Sequence, residues 1–317
     1  MASKVLIIKT GFSETFDPRV SDMVSLGDVF CCTMILHAFK DSHVTWLTHS
    51  RNDIPITQSA FPLLEGNPYI DRILPYDLTS ILQLKSETFD VVINLEKVPG
   101  LCALADSIAA IFVRYGFTLD QRSGAAKTHH ASSVLDPYML IGTRKEDRRF
   151  WPEVLFEAIS RKWNGERSIL GWKTQSKVTY DIGLNYNVGS KWPNKAWPKT
   201  NFALLDSRLR DLGYTVSWQK GKNDVTVYAD WINSCGLIVT NDSLGLHLAV
   251  AMEKKIVGLF GPTFMHPKYL DGLGTIILSQ EHNACLFCWE SKCSRTVPHC
   301  MEGISVDRVL EEVRRLL

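Results

Sequence analysis

Val5-Leu-Ile-Ile-Lys-Thr10 is an apolar, strand-like run, and Leu26 to Lys40 behind it carries Leu26, Val29, Phe30, Met34, Ala38 and Phe39 at helical spacing. The same alternation continues outward. Val44 to His49 reads as a second strand, Asn67 to Tyr76 as a turn with a short third, Val91 to Leu95 as a fourth and Ile111 to Tyr115 as a fifth. Near-continuous apolar strands alternating with helices predict an α/β fold with a parallel sheet covered on both faces.

A second alternating half begins near Asp181. Ile182 to Asn187, Tyr214 to Gln219, Leu237 to Thr240, Ile256 to Phe260 and Thr275 to Leu278 read as strands. Asn201 to Leu212 reads as a helix with Phe202, Leu204, Leu205 and Leu209 on its apolar face and Gly213 at its end. Ser305 to Leu317 reads as a closing helix with Ser305 as N-cap. The stretch from Gln121 to Lys177 is more polar and less periodic, a linker with one helix from Pro152 to Trp163. The resulting division is residues 1–165, with the linker, and residues 166–317. Two such halves make a cleft, where ligands commonly sit.

Composition narrows the classes. The 317 residues carry a net charge of +1, with 45% hydrophobic and 22% charged residues, as in a soluble globular protein. That balance argues against a nucleic-acid partner, which needs a large basic footprint. The amino-terminal apolar run is too short for a signal peptide, and no segment approaches the roughly 18 apolar residues of a membrane-spanning helix. Cys31, Cys32, Cys102 and Cys235 sit in apolar surroundings as small core residues. A reducing, cytoplasmic setting is expected. Peripheral membrane contact and homo-oligomerisation are left open.

Four of the eight cysteines, Cys285, Cys288, Cys293 and Cys300, fall within sixteen residues in the spacing C-x2-C-x4-C-x6-C. Two close pairs of soft ligands read as a tetrahedral structural metal site, and sulfur alone does not choose between zinc and iron. Free thiols or one local disulfide are the plainer alternative.

Four further stretches bear on chemistry. Asp28, in Ser25-Leu-Gly-Asp28, opens the helix after the first strand, at the carboxyl edge where ligands bind in parallel sheets. A carboxylate there can act as a general base, although acidic residues also favour the first turn of any helix. Thr240-Asn-Asp-Ser-Leu-Gly-Leu-His247 turns a strand into a helix, whose first N–H groups suit a phosphate; Gly245 would leave the backbone accessible and His247 lies one turn in. Gly189-Ser-Lys-Trp-Pro-Asn-Lys195-Ala-Trp-Pro198 offers Ser190, Lys191 and Lys195 to an anionic leaving group, or is a solvated basic loop. Phe260-Gly-Pro-Thr263 is a sharp turn that brings Thr263 to the same edge. No G-x-x-x-x-G-K-[ST] loop, no G-x-G-x-x-G after the first strand and no serine nucleophile elbow is present, which removes most of the case for phosphate-loop ATPases, nicotinamide dehydrogenases and serine hydrolases.

In order along the chain, Lys4-Val-Leu-Ile-Ile-Lys9, Ser25-Leu-Gly-Asp28, Asn67-Pro-Tyr-Ile-Asp71, Lys195-Ala-Trp-Pro198, Asn241-Asp-Ser243 with His247-Leu-Ala249, Leu259-Phe-Gly-Pro-Thr263 and the cluster closing in Cys300-Met301 resemble the ADP-heptose-dependent heptosyltransferases, glycosyltransferase family nine. The resemblance implies a GT-B fold, two Rossmann-like domains facing across a cleft, the second binding the nucleotide sugar. It implies inverting transfer of a heptose from a nucleotide-activated donor, ADP-heptose, to an acceptor hydroxyl. It implies Asp28 as catalytic base, Lys195 on the donor phosphates, and Asp242, Ser243, Leu244, Gly245 and His247 as the donor loop. The cysteines resemble a structural metal finger of some protein-modifying members, and no catalytic metal is expected. Three departures stand out. Gly11 to Val24 separates the first strand from the Gly27-Asp28 turn, where the family has a short link, and is expected as an acceptor-side flap. Leu244 precedes Gly245 in the donor loop. Lys220-Gly-Lys-Asn-Asp224 offers no clear acidic partner for a ribose. The acceptor, whether glycan, protein or small molecule, is not readable. The competing readings are a metal-finger interaction protein with a degenerate cleft and another nucleotide-sugar enzyme such as an epimerase.

Overall fold

The structure is a computed structural model that describes residues 2–11, 24–49, 59–139, 149–189, 192–220, 224–279, 286–290, 292–294 and 299–317. It divides into two compact units, Met1–Trp172 and Lys173–Leu317, each built on one sheet.

In the first unit β1 (Lys4–Ile8), β2 (His43–Thr48), β3 (Arg72–Pro75), β4 (Thr88–Asn94) and β5 (Ala109–Leu119) run parallel in the order β3-β2-β1-β4-β5. Val5, Leu6, Ile7 and Ile8 are all fully buried, because both faces of the sheet are covered. Alternation divides them. Val5 and Ile7 join a core with Val29, Cys32 and Trp46, whereas Leu6 and Ile8 join one with Leu84, Phe89 and Leu101. The helices are α1 (Leu26–Cys32), α2 (Phe61–Leu64), α3 (Leu78–Ser86), α4 (Pro99–Ser107) and α5 (Trp151–Glu157). Asp77 caps α3 by accepting the Ser80 N–H at 2.8 Å.

In three places the structure departs from the sequence pattern. The helix expected over 26–40 changes at Thr33 into a 3-10 segment, Thr33–Phe39. Thr33 Oγ1 donates back to the Phe30 carbonyl at 2.7 Å and accepts the Ile169 N–H at 2.9 Å, so its hydroxyl competes for the helix ladder. The segment read as linker is in part folded. β6 (Ala126–Thr128) adds antiparallel to the end of β5, and a 3-10 segment follows over His130–Tyr138. A three-residue strand with Lys127 at its centre gives no periodic signal. Residues 166–172 pack with the first unit: Asn67 Nδ2 donates to the Ile169 carbonyl at 3.2 Å, and Gly171 lies so close to Gly66 that a Cβ on it would meet backbone.

The second unit holds β7 (Tyr180–Asn185), β8 (Val216–Trp218), β9 (Cys235–Asn241), β10 (Lys255–Phe260) and β11 (Gly274–Leu278), all parallel, in the order β11-β10-β9-β7-β8. Its helices are α6 (Lys199–Asp211), α7 (Val225–Asn233), α8 (Leu244–Ala251) and α9 (Val306–Leu316). Phe202, Leu205 and Leu209 of α6 and Val309 and Val313 of α9 cover one face of the strands. Cys31, Cys32, Cys102 and Cys235 are buried, as their surroundings predicted. No described helix is long and apolar enough to cross a membrane.

Gly116 is where β5 needs a residue without a side chain. Its φ is +89°, and a Cβ there would lie 1.9 Å from the Asn94 carbonyl oxygen of β4. Gly116→Ala should therefore lower stability by about 2 kcal/mol or more in urea unfolding. Gly100→Ala, at a helical position with open space around it, should be neutral or stabilising by up to about 1 kcal/mol.

Candidate active site

In the second unit the sequence places polar residues where the apolar strands stop. Asn185 and Thr240 are register partners at the ends of β7 and β9. Asn185 Nδ2 donates to Thr240 Oγ1 at 2.7 Å and to Ser243 Oγ at 3.0 Å, and its Oδ1 accepts from the Tyr228 hydroxyl at 2.8 Å. Tyr228 is buried on α7, and burial pushes its hydroxyl well above the ordinary tyrosine range despite its hydrogen bonds with Ser243, Asn185 and the Gly245 amide. This polar box seats the start of α8. A Cβ on Gly245 would lie 2.0 Å from the Tyr228 hydroxyl and 2.4 Å from Asn185 Nδ2. Gly245 therefore brings the helix down onto the box, and its inner face is closed rather than open to a ligand. Leu244 is likewise buried.

On the outer side of the same turn two side chains converge on one carboxylate. Asp242 Oδ2 accepts from Lys195 Nζ at 2.6 Å and from Thr263 Oγ1 at 2.6 Å. Burial opposes ionisation of Asp242, but Lys195, His247 and Thr263 together outweigh it and hold the carboxyl below its usual range. Lys195 Nζ also lies 5.0 Å from the centre of the Trp192 ring. Its approach is fixed by Trp197: the Trp197 N–H donates to Asn241 Oδ1 at 3.0 Å, and its indole N–H donates to the Ile304 carbonyl at 2.9 Å. His247 Nδ1 is 2.8 Å from the Tyr269 hydroxyl. Burial lowers its pKa to about 4, with Asp242 pulling it up and Lys195 pushing it down, so the ring is neutral at pH 7. An ammonium, a neutral imidazole, a hydroxyl and a helix start on one patch form an arrangement suited to an anion.

In the first unit Asp28 lies in the first turn of α1 and pairs with the ammonium of Lys9, which follows β1. Glu96, just beyond β4, accepts from the Thr10 N–H at 2.6 Å, from Thr10 Oγ1 at 2.9 Å and from the Gly11 N–H. The Ser25 N–H donates to the Gly11 carbonyl at 2.9 Å, so the chain leaves and rejoins the α/β core at one point. Residues 12–23 of the expected flap lie outside the described residues.

Thus Lys195, Asp242 and Thr263 are brought into direct contact, His247 joins them electrostatically, and Ser243 anchors the turn from inside. Ser190 and Lys191 lie outside the described residues, as does Cys285. Of the other cysteines, Cys288 and Cys293 are half-buried, and Cys300 is buried, where a Cβ on Gly261 would sit 2.5 Å from its Sγ. Among the described residues no three potential metal ligands gather, so Cys288, Cys293 and Cys300 do not by themselves assemble the expected site. The Phe287 N–H pairs with the Gly261 carbonyl at 2.9 Å and the Trp289 N–H with the Pro262 carbonyl at 2.8 Å, which ties this segment to the Thr263 turn by backbone instead. Asp224, the acidic residue after β8, is the cap of α7 and accepts from Thr226 and Val227. Sequence reasoning passed over Lys9, Glu96, Asn185 and Tyr228. The signal for the first three is a polar residue placed directly where a buried apolar strand ends.

Comparison with known proteins agrees with this layout. The overall fold is GT-B: the E. coli ADP-heptose lps heptosyltransferase II structure superposes with a TM-score of 0.62 at 17% identity, covering 99% of this chain and 98% of that one. Residues 219–296, which contain the α8 turn and the Thr263 turn, match the model for glycosyltransferase family 9 (heptosyltransferase). The family-nine resemblance drawn from the sequence is thereby borne out. Lipooligosaccharide heptosyltransferase 2 of Campylobacter jejuni subsp. jejuni serotype O:6 is 27% identical over 96 residues; the alignment covers 30% of this chain and 30% of that protein. The iron-containing dodecameric glycosyltransferase TibC from enterotoxigenic E. coli H10407 also superposes, with a TM-score of 0.54 at 12% identity over 99% of this chain and 76% of that one.

The depressed pKa of His247 has a sign that can be checked. The unfolded chain binds a proton near pH 6.5 and the folded chain only near pH 4, so this residue costs stability as pH falls through that window. Thermal melting between pH 7 and 4 should show a shallower loss in His247→Gln than in the wild type.

Proposed function

We propose that the chain is an inverting glycosyltransferase that moves a heptose from ADP-heptose to an acceptor hydroxyl. The observation that carries the reading is the Lys195–Asp242–Thr263 contact beside His247 at the start of α8, inside the stretch that matches the family model for its last three members. In this reading the donor pyrophosphate takes the outer side of that turn. Lys195, with three N–H donors and one used on Asp242, offers the others to phosphate oxygens, and the neutral His247 ring donates or accepts beside it. Asp242 acts as the group that holds Lys195 and Thr263, not as a phosphate ligand. Ser243 and Gly245 contribute by fixing the turn. Ser190 and Lys191 are assigned to the donor phosphates with Lys195.

Asp28 is the base. The acceptor O–H breaks as its oxygen bonds the anomeric carbon, the proton goes to Asp28, and the bond from that carbon to the phosphate oxygen breaks with its electron pair leaving on ADP. Lys195 and the helix start stabilise the charge that develops on the leaving group, which a fixed array does without reorganising. The name of the E. coli relative supports ADP-heptose as donor. For the cysteine cluster, support comes from the iron-containing relative.

The donor assignment is tested by calorimetric titration. ADP should bind and UDP should not at the same concentration, and Lys195→Ala should weaken ADP by about tenfold or more, the worth of a charge-assisted contact of about 1.5–3 kcal/mol. Equal binding of both nucleotides removes the ADP reading. Asp28→Asn should lower transfer from ADP-heptose by at least about a hundredfold with ADP affinity unchanged. For the cluster, elemental analysis should find stoichiometric iron or zinc in the wild type and a loss in Cys288→Ser; a metal-free wild type removes the finger.

A further inference from the structure

At the carboxyl edge of the first sheet one buried ammonium stands between two carboxylates. The Lys9 side chain is 2% exposed and pairs with Asp28 Oδ2 of α1. Its Nζ also lies 3.7 Å from Glu96 Oε1 and 3.5 Å from the Leu95 carbonyl, both just beyond β4. The Glu96 side chain is fully buried. Lys97, the next residue, is directed elsewhere and donates to the Tyr138 carbonyl at 3.0 Å. His49, which follows β2, is a further titratable group at this edge and is buried.

The charge count has a chemical consequence. With Asp28 ionised the trio carries one net negative charge, and with Asp28 protonated it is neutral. A Lys9–Asp28 pair without Glu96 would go from neutral to a lone buried cation on taking the proton. Asp28 and Glu96 without Lys9 would be two like charges in one buried site. A low-dielectric surrounding penalises both extremes.

We infer that Lys9 and Glu96 are positioning residues that set the proton affinity of Asp28 in opposite senses. Lys9 holds the carboxylate ionised and ready, and Glu96 keeps Lys9 compensated after Asp28 has accepted the acceptor's proton. Glu96 does this from a fixed place, because the Thr10 and Gly11 donors hold its Oε1 at the mouth of the turn. The inference deepens the role of Asp28 as base and rests on it for its catalytic meaning.

The test titrates Asp28 directly. Full-length protein carrying aspartate labelled with carbon-13 at its carboxyl is followed by NMR across pH, and the Asp28 signal is the one missing in Asp28→Asn. Lys9→Met should move its midpoint up by about one unit or more, and Glu96→Gln should move it down. Lys9→Arg, which keeps the charge, should restore the wild-type midpoint, a rescue that loss of packing would not give. Neither substitution alters His49. Unmoved midpoints, or midpoints that move the same way in both variants, overturn the inference. Should Lys9→Met fail to fold, the Glu96→Gln midpoint decides alone: downward supports the inference, unchanged or upward overturns it. The two layers fail separately. An active Asp28→Asn enzyme removes the base while the shifts stand, and an inactive one with unmoved midpoints removes only the tuning.

Discussion

The register of β1 against β4 decides what the first unit can do. Ile8 lies opposite Asn94, so the residues that follow, Lys9 to Gly11 and Leu95 to Glu96, run on side by side past the end of the sheet. A lysine buried there cannot remain unpaired, because a desolvated ammonium costs several kcal/mol. Lys9 therefore draws α1 to the strand end through Asp28, while Glu96 takes up the Thr10 and Gly11 amides. One slip in that pairing would turn Lys9 toward the opposite face and bring an aliphatic residue to Asp28.

The second unit solves a similar problem with neutral groups. Asn185 and Thr240 end adjacent strands, and Tyr228 supplies the third partner from α7. These side chains satisfy one another inside, so the helix start above them is seated by hydrogen bonds rather than by charge. The charges are kept on the outer side, where Asp242 gathers Lys195 and Thr263. The separation is physically sensible. A buried neutral box gives the turn a fixed shape, and the partly buried ionic group keeps Lys195 donors for an anion.

Much of this was legible in the sequence. Val5 to Ile8 and Leu237 to Val239 announce buried parallel strands by their unbroken apolarity, and both halves of the fold follow from such runs. The sequence shows Asp28 opening a helix, Lys195 in a basic loop after a strand, and Asp242 and Thr263 in turns at strand ends, and the structure places them in those elements. What escaped was decided by contacts distant in sequence. Thr33 ends the α-helix because its hydroxyl bonds Ile169, more than a hundred residues away. β6 exists because β5 offers it an edge, not because Ala126-Lys-Thr128 favours extended backbone. Gly245 suggests an accessible backbone in sequence, but its missing side chain accommodates Tyr228, which only folding brings to it. Of the cysteine cluster, Cys300 lies in the core beneath Gly261, and Cys285 is outside the described residues.

The closure between Gly11 and Ser25 carries a wider implication. Both ends of the thirteen-residue excursion between them are fastened to each other before they reach α1. Gly11 suits that knot, with φ at +92° and a Val29 methyl where a Cβ would be. A segment closed at its base in this way changes length at little entropic expense, since closure entropy grows only with the logarithm of the residues enclosed. Insertions can accordingly accumulate between Gly11 and Ser25 without disturbing the Lys9–Asp28–Glu96 contacts at their root, in the manner of an exchangeable tool on a fixed handle.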